Sequence, residues 1–479
     1  MTLALAELLD DAAGPIPAIA VAGVNADSRA IRPGEAFFAV PGTRTHGDAF
    51  AAQARANGAV AMVTDRVPAE AAGLPLVVVP DVRAAYARAA ARQFAPQPET
   101  VIGVTGTNGK SSIVAFVRQI WAACGIAAAS VGTVGIETAE GLVPGELTTP
   151  DALSLHRDLA ALKARGIDHV AMEASSQGLD QRRVDGVPFA AVAFTNLSRD
   201  HLDYHDDMAA YRDAKLRLFA ELVAADGSAI VNIDDPAHPA FVAAAQARGA
   251  TVMTVGHGGV WFDIEVVANE GYGQRVSGRL AGEPVTFHLP LTGAFQASNA
   301  VVALALAMAS GAPKKGALES LSRLRGAKGR LELAGQRNGA AIFIDYAHKP
   351  VALETALAAL RPYAKGRLKV VFGCGGDRDR GKRPIMGEIA GRMADEVIVT
   401  DDNPRTEEAA AIRAAILAAA PGATEIGDRR EAIARSVAAL APGDVLLIAG
   451  KGHEDYQIVG TTKHHFSDHE VVAEALETR

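Results

Sequence analysis

Residues 101–117 constrain this chain more than any other stretch: Val-Ile-Gly-Val-Thr-Gly-Thr-Asn-Gly-Lys-Ser-Ser runs directly into an apolar-periodic segment. Val101, Ile102 and Val104 predict a short buried strand. Ile113, Phe116, Val117, Ile120 and Trp121 recur at three- and four-residue spacing, which predicts a helix after it. The turn between them contains Gly106, Thr107, Asn108, Gly109, Lys110, Ser111 and Ser112. A glycine-rich turn of this kind points successive backbone N–H groups and a helix N-terminus at one spot, which suits a polyphosphate. Lys110 would reach the terminal phosphates, and the Ser111 hydroxyl would ligate Mg²⁺. The pattern departs from G-x-x-x-x-G-K-[ST] at its first glycine, which would fall at Val104; glycine stands instead at Gly103 and Gly106. ATP is the expected ligand, and the motif also admits GTP.

A chain of 479 residues implies roughly three domains. Hydrophobic residues make up 49% and charged ones 21%, a globular balance, and the net charge of −8 argues against a general nucleic-acid binder. With only Cys124 and Cys374, neither a disulfide framework nor a cysteine zinc site is expected. No signal pattern and no bilayer-length apolar run is read, so a cytoplasmic chain without membrane insertion is expected.

To about Pro98, strand-like runs at 18–24, 36–40, 59–63 and 76–79 alternate with helical ones at 49–57 and 82–93, a small α/β unit. Asp27-Ser28-Arg29 and the 42–48 loop, with Thr43, Arg44 and Thr45, follow its first two strands, where α/β sheets bind ligands. Residues 94–98 look like a linker. In the next segment, a strand at 170–172 ends in Glu173-Ala-Ser-Ser176, and one at 190–194 ends in a polar run containing His201 and His205. A helix then carries Tyr211, Lys215 and Phe219 on one face. Strand-end placement puts Glu173 and His201 beside the phosphate loop, where carboxylate and imidazole bind Mg²⁺ or Mn²⁺; a capping or hydrogen-bonding role is the alternative for each.

From about residue 326, strands at 341–344, 369–372, 396–399 and 445–448 alternate with helices at 351–360, 385–393, 407–419 and 429–440, a doubly wound parallel sheet. Each strand ends in polar residues: Asp345–His348, Gly373–Asp379, Thr400–Arg405 and Gly450–Glu454. Four such loops on one sheet edge predict a site. The expected fold is α/β in three domains. These are a small N-terminal α/β domain (1–98), a central P-loop ATPase-like mononucleotide-binding domain with a mainly parallel sheet (99–327), and a C-terminal Rossmann-like domain (328–479).

Over essentially its whole length the sequence resembles the Mur ligase family. The matching stretches are Asp27–Arg29, Thr105–Ser111, Thr148–Pro150, Glu173–Ser176, Asn196–His205, Lys215–Phe219, Gly329–Glu332, Asp345–His348, Gly373–Pro384, Asp402–Arg405 and Gly450–Glu454. The resemblance implies ATP-dependent amide formation through an acyl phosphate. Meso-diaminopimelate would be added to UDP-N-acetylmuramoyl-L-alanyl-D-glutamate in peptidoglycan precursor synthesis, by a chain expected to act as a monomer. It further implies UDP-sugar contacts from Ser28 and Thr43–Thr45, and muramoyl-peptide contacts from Thr148, Thr149, Ser175, Gln181 and Arg183. Lys110 and Ser111 would serve ATP and Mg²⁺, Glu173 would ligate one Mg²⁺, and His201 with a carbamylated Lys215 would ligate a second. Asn299 would contact adenine, Arg330 the phosphates and Asp345 the ribose. Arg378, Asp402, Asn403, Pro404, Arg405, Gly450 and Glu454 would form the diaminopimelate site. Three positions depart from the family pattern: Gln177 stands where histidine is common, Gln296 where asparagine is, and Val351 where aspartate follows the proline. A sibling ligase that adds lysine or extends folate with glutamate and an ATP-binding switch or motor module are the rival expectations; Asp402–Arg405 and the UDP-sugar loops argue against the first, and the polar strand-end loops of the third domain against the second.

Overall fold

The computed structural model describes residues 2–42 and 45–477. Thr43 and Arg44, expected beside the UDP-sugar, lie outside the described residues. The chain divides into two compact units, residues 1–261 with 302–317 and residues 262–301 with 318–479.

In the first unit the Thr100–Thr105 strand lies between His169–Glu173 and Phe189–Phe194, parallel to both. Ala128–Gly132, Val223–Asn232 and Thr251–Gly256 extend the parallel sheet on either side. The three central strands are buried over nearly their whole length because both faces are covered, as parallel sheets require. Two short strands, Gly135–Thr138 and Gly141–Pro144, turn back antiparallel at one edge. Register pairs Glu173 with Val104 and Phe194 with Thr105, so the loops that follow all three strands leave from one edge. The helix carrying Lys215 runs Met208–Arg217, with the Asp207 carboxylate accepting the Ala210 N–H as its cap. A π-helical turn, Leu218–Leu222, follows, and Phe219 is buried as Tyr211 and Lys215 are. Phe219 lies edge-on to Phe241 at 5.2 Å, and Phe241 stacks on Phe194 of the sheet at 3.7 Å. Each buried phenylalanine contributes roughly 1.5–3 kcal/mol, which anchors the helix to the strand beside the phosphate loop.

A smaller parallel sheet, Gly23–Asn25, Glu35–Phe38, Ala61–Thr64 and Leu76–Val78, lies nearer the N-terminus. The single strand expected at 18–24 is two: Ala20–Val21 pairs antiparallel with Leu3–Ala4, and Gly23–Asn25 joins the parallel sheet. Its apolar run is continuous, so periodicity alone could not show that the chain changes sheets at Ala22.

In the second unit five strands, Ala340–Asp345, Val445–Ala449, Leu368–Phe372, Glu396–Val399 and Thr424–Glu425, form a parallel sheet, with Glu332–Arg337 antiparallel at one edge. Alternate residues face opposite layers. Phe343, Val370 and Leu447 pack with Leu353 and Met386, while Ile342, Val371 and Leu446 pack with Ile433 and Val471. The expected doubly wound sheet is therefore present. Unanticipated were an antiparallel meander, Phe262–Glu270, Gly273–Leu280 and Glu283–Leu289, and the helix Asp468–Glu477. Among the described residues no helix is long and apolar enough to cross a membrane.

Candidate active site

The phosphate-type loop begins where the Thr100–Thr105 strand ends. Gly106 has φ 145°, and a Cβ there would meet the Thr195 hydroxyl at 1.9 Å, so only glycine fits. Gly109, at φ 89°, opens the helix Lys110–Ala123, whose first N–H groups have no side-chain cap. The loop is braced from the next strand end. Thr107 N–H donates to the Asn196 carbonyl at 2.8 Å, Asn108 N–H to Asn196 Oδ1 at 3.0 Å, and the Thr195 hydroxyl to the Asn108 carbonyl at 2.7 Å. Thr195 and Asn196 had been given no role from sequence. The signal was there, in a polar run directly after a strand next to the phosphate-loop strand.

Two lysines share one oxygen in this loop. Lys110 Nζ donates to the Gly106 and Thr107 carbonyls at 2.8 and 2.9 Å, and Lys215 Nζ donates to the same Gly106 carbonyl at 2.9 Å. Lys215 is 1% exposed and lies 4.3 Å from the centroid of the Tyr211 ring. Burial, and then the neighbouring Lys110, hold its amine well below the usual lysine range, against an opposing effect of Asp200. Tyr211 in turn bonds the Thr107 hydroxyl at 3.2 Å. His201, in the left-handed region at φ 54°, sits with its ring 6.1 Å from Tyr211 and its side chain 43% exposed.

Glu173 ends its strand 1% exposed. Its carboxylate accepts the Thr133 N–H at 2.8 Å and the Thr133 hydroxyl at 3.3 Å, and among the described residues it has no ion-pair partner. A buried carboxylate with only neutral donors fits a bound cation, and the Lys110 side chain at the helix start fits an anion. No three His, Cys, Asp or Glu among the described residues are gathered as a metal cage, so substrate oxygens and water would complete the ligand set.

Beside Glu173, the expected peptide contacts are tied together. The buried Thr149 hydroxyl donates to the Glu173 carbonyl at 2.9 Å and lies 3.0 Å from the Ser175 hydroxyl, and Thr148 lies 3.0 Å from Thr133. Arg183 forks onto Gln181 Oε1 at 2.7 and 3.1 Å, and Gln181 donates to Tyr204, which donates to Asp180. Tyr204, unassigned from sequence, thus belongs to this cluster. Ser28, 7% exposed, donates to Gln53, and Thr45 lends its carbonyl to the Gly42 N–H.

In the second unit the four strand-end loops meet. Gly450 N–H donates to the Asp345 carbonyl at 3.1 Å, Gly376 N–H to the Asn403 carbonyl at 2.9 Å, and Lys382 to the His348 carbonyl at 2.7 Å. Asn403 donates to Glu454 at 2.9 Å, and Lys451, fully buried, bridges Asn403 and Glu454 at 3.1 Å each. Arg405 is in the left-handed region at φ 51°, held by Ile458 and Gly460 backbone bonds on either side. Its Nη1 donates to the Gly376 carbonyl at 2.8 Å, and among the described residues no carboxylate pairs with it. The helix after it starts at Ala409, so Arg405 does not cap it. Asp402 is buried and Arg378 exposed. Asp345 accepts the Leu331 N–H at 2.6 Å; burial raises its carboxyl to about 6 against the opposing Arg330 guanidinium. Arg330 lies over the Tyr346 ring at 4.9 Å, and Asn299 donates to the neighbouring Gln296 at 3.0 Å.

A glycine-rich loop on a parallel sheet, with lysine at the helix start, defines a mononucleotide-binding α/β protein. The second α/β unit adds a cluster of polar strand-end loops to it. Residues 20–94 match the model described as "Mur ligase family, catalytic domain", residues 104–307 the Mur ligase middle domain, and residues 329–452 the "Mur ligase, glutamate ligase domain". The chain is 52% identical to the UDP-N-acetylmuramoyl-L-alanyl-D-glutamate–2,6-diaminopimelate ligase of Bradyrhizobium diazoefficiens over 99% of both chains. It is 48% identical to the protein of the same name from Caulobacter vibrioides, over 100% of this chain and 99% of that one. A solved structure of a ligase of that name superposes with TM-score 0.75 at 32% identity, covering 100% of this chain and 99% of the other. The MurF ligase of Thermotoga maritima shares the fold alone, at TM-score 0.58 and 17% identity over 95% of this chain and 97% of that one. The chain belongs to the Mur ligase family.

Proposed function

We propose that this chain is the ATP-dependent ligase that joins meso-diaminopimelate to UDP-N-acetylmuramoyl-L-alanyl-D-glutamate in peptidoglycan precursor synthesis, acting as a cytoplasmic monomer. Its domains are 1–98 for the UDP-sugar, 99–327 for ATP and 328–479 for the amino acid. The observation that carries the choice of amino acid is Arg405, whose main chain is bonded on both sides and whose guanidinium, bonded to the Gly376 carbonyl, lacks a carboxylate partner among the described residues. Such a fork matches a carboxylate bidentately. Meso-diaminopimelate has one more carboxylate than lysine, and that group pairs with Arg405, while Glu454 takes the adjacent ammonium and Arg378, Asp402, Asn403 and Gly450 shape the pocket.

The chemistry follows from charge. The γ-carboxylate of D-glutamate attacks the γ-phosphorus of ATP, ADP departs, and an acyl phosphate forms. The diaminopimelate amine then attacks the activated carbonyl, inorganic phosphate leaves, and the amine gives up a proton. Lys110, supported by the N–H groups of 106–112, offsets charge that builds on the transferring phosphoryl oxygens. Two Mg²⁺ ions, one held by Glu173 and a second by His201 and a carbamate on Lys215, with Ser111 a further ligand, would neutralise the same oxygens. Asn299, Arg330 and Asp345 hold the nucleotide. Thr148, Thr149, Ser175, Gln181 and Arg183 orient the peptide, and Ser28 with Thr43–Thr45 holds the uridine sugar.

Phosphate release is measured with the muramoyl-dipeptide nucleotide, ATP, and either diaminopimelate, lysine or glutamate, for the wild type and Arg405→Ala. Leaving the half-buried Arg405 guanidinium unpaired makes the wild type reject lysine by roughly 10⁴-fold. Arg405→Ala raises the diaminopimelate KM steeply and shrinks that preference, with the ATP KM close to normal. Equal use of lysine by the wild type, or an unchanged ratio in the variant, refutes the assignment.

A further inference from the structure

Arg429 and Asp468 have no role in the site described so far. Arg429 opens the helix Arg429–Ala438, where the helix dipole disfavours a cation. Neither side chain has any exposure. A charge pair taken fully out of water is costly unless its geometry is complete. Here it is complete: Nε and Nη2 each donate to one Asp468 oxygen at 2.8 Å. Two further donors go to backbone. Nη2 also reaches the Ala449 carbonyl at 3.0 Å, and Nη1 reaches the Asp401 carbonyl at 3.5 Å. Ala449 immediately precedes the Gly450–Glu454 loop, and Asp401 immediately precedes Asp402–Arg405. One planar fork therefore holds the roots of both loops. The tips are joined independently through Asn403, Lys451 and Glu454. Fastening the helices Arg429–Ala438 and Asp468–Glu477 together does not require the fork, since Ile433, Val437, Val471 and Val472 already pack there.

We propose that Arg429, fixed by Asp468, is a positioning residue that sets the spacing of the Asp402–Arg405 and Gly450–Glu454 loops and so governs affinity for the incoming amino acid. The substrate in this statement rests on the function proposed above; the geometry does not.

The test pairs amide exchange with kinetics. Arg429→Met with Asp468→Leu replaces the pair by apolar groups of similar volume, an exchange that folds tolerate. Peptides covering 401–407 and 449–458 then exchange faster than in the wild type, while 101–112 are unchanged. The diaminopimelate KM rises roughly 10- to 100-fold, the cost of a small misplacement in a site, with the ATP KM unaltered. Arg429→Lys keeps the charge but not the fork and falls between; should the double variant fail to fold, this variant decides by the same two measurements. Faster exchange confined to the two helices, or a lowered melting temperature with every KM unchanged, overturns the proposal. If the wild type shows no diaminopimelate-dependent turnover, the proposed function fails, and exchange in the two loops alone decides the role of Arg429.

Discussion

Lys215 shows how one side chain changes meaning with its surroundings. On a helix read from sequence it is an amphipathic lysine; in the fold it is buried against Tyr211 and shares the Gly106 carbonyl with Lys110. An ammonium cannot ligate a cation, but an amine kept neutral by burial can add to CO₂, forming an N–C bond and releasing a proton to give an anionic carbamate. Incubation with ¹³C-bicarbonate at neutral pH should give a carbamate carbon signal that Lys215→Ala lacks. That variant should be nearly inactive and partly rescued by formate or acetate. A wild-type protein active with no such signal would rule the carbamate out.

Among the elements, the phosphate loop depends on its neighbour more than on itself. Asn196 holds Thr107 and Asn108 from the adjacent strand end, with its side-chain oxygen on the Asn108 N–H at 3.0 Å and its side-chain nitrogen on the Asn108 carbonyl at 3.2 Å. Removing both bonds frees the loop that presents its N–H groups to phosphate, at about 0.5–1.5 kcal/mol per bond. Asn196→Ala should therefore raise the ATP KM roughly tenfold, as two such bonds imply. Diaminopimelate KM should stay near normal. Steady-state kinetics with ATP varied check this, and an unchanged ATP KM would show that the brace is dispensable.

The whole molecule carries its histidines in a way that ties stability to pH. Burial above all lowers His156, His348 and His453 to about 4 each. Unfolded, they would bind protons near 6.5. Their folded values are depressed, so the neutral-ring stability is present above about 6.5 and is lost as pH falls toward 4, by at most on the order of 3 kcal/mol each. Asp345, raised to about 6, has the opposite sign and loses stability as pH rises from 4 to 6. Three groups outweigh one, so stability should fall on acidification. His156 bonds Gln97 and the Asp185 carbonyl at 3.1 and 3.2 Å. His156→Gln should flatten part of the fall. Urea midpoints at pH 7 and pH 4.5 decide, and parallel losses in both proteins would count against His156.

The strand–loop–helix of 101–117, the helix at 82–93 and the four polar strand ends of the second unit were legible from sequence. Each is local: periodicity, glycine and proline placement fix it within a few residues. The 18–24 run and the π-turn after Arg217 were not, because partner choice and a one-residue bulge leave no mark on periodicity. The sequence offers candidate site residues by type, but not their state. That Lys215 is buried beside Lys110 and that, among the described residues, Glu173 meets only neutral donors and Arg405 has no paired carboxylate all depend on groups distant in the chain. Arg429 escaped notice for the same reason. Its partners, Asp401, Ala449 and Asp468, are brought to it by three different elements, and only the packed sheet decides that they meet.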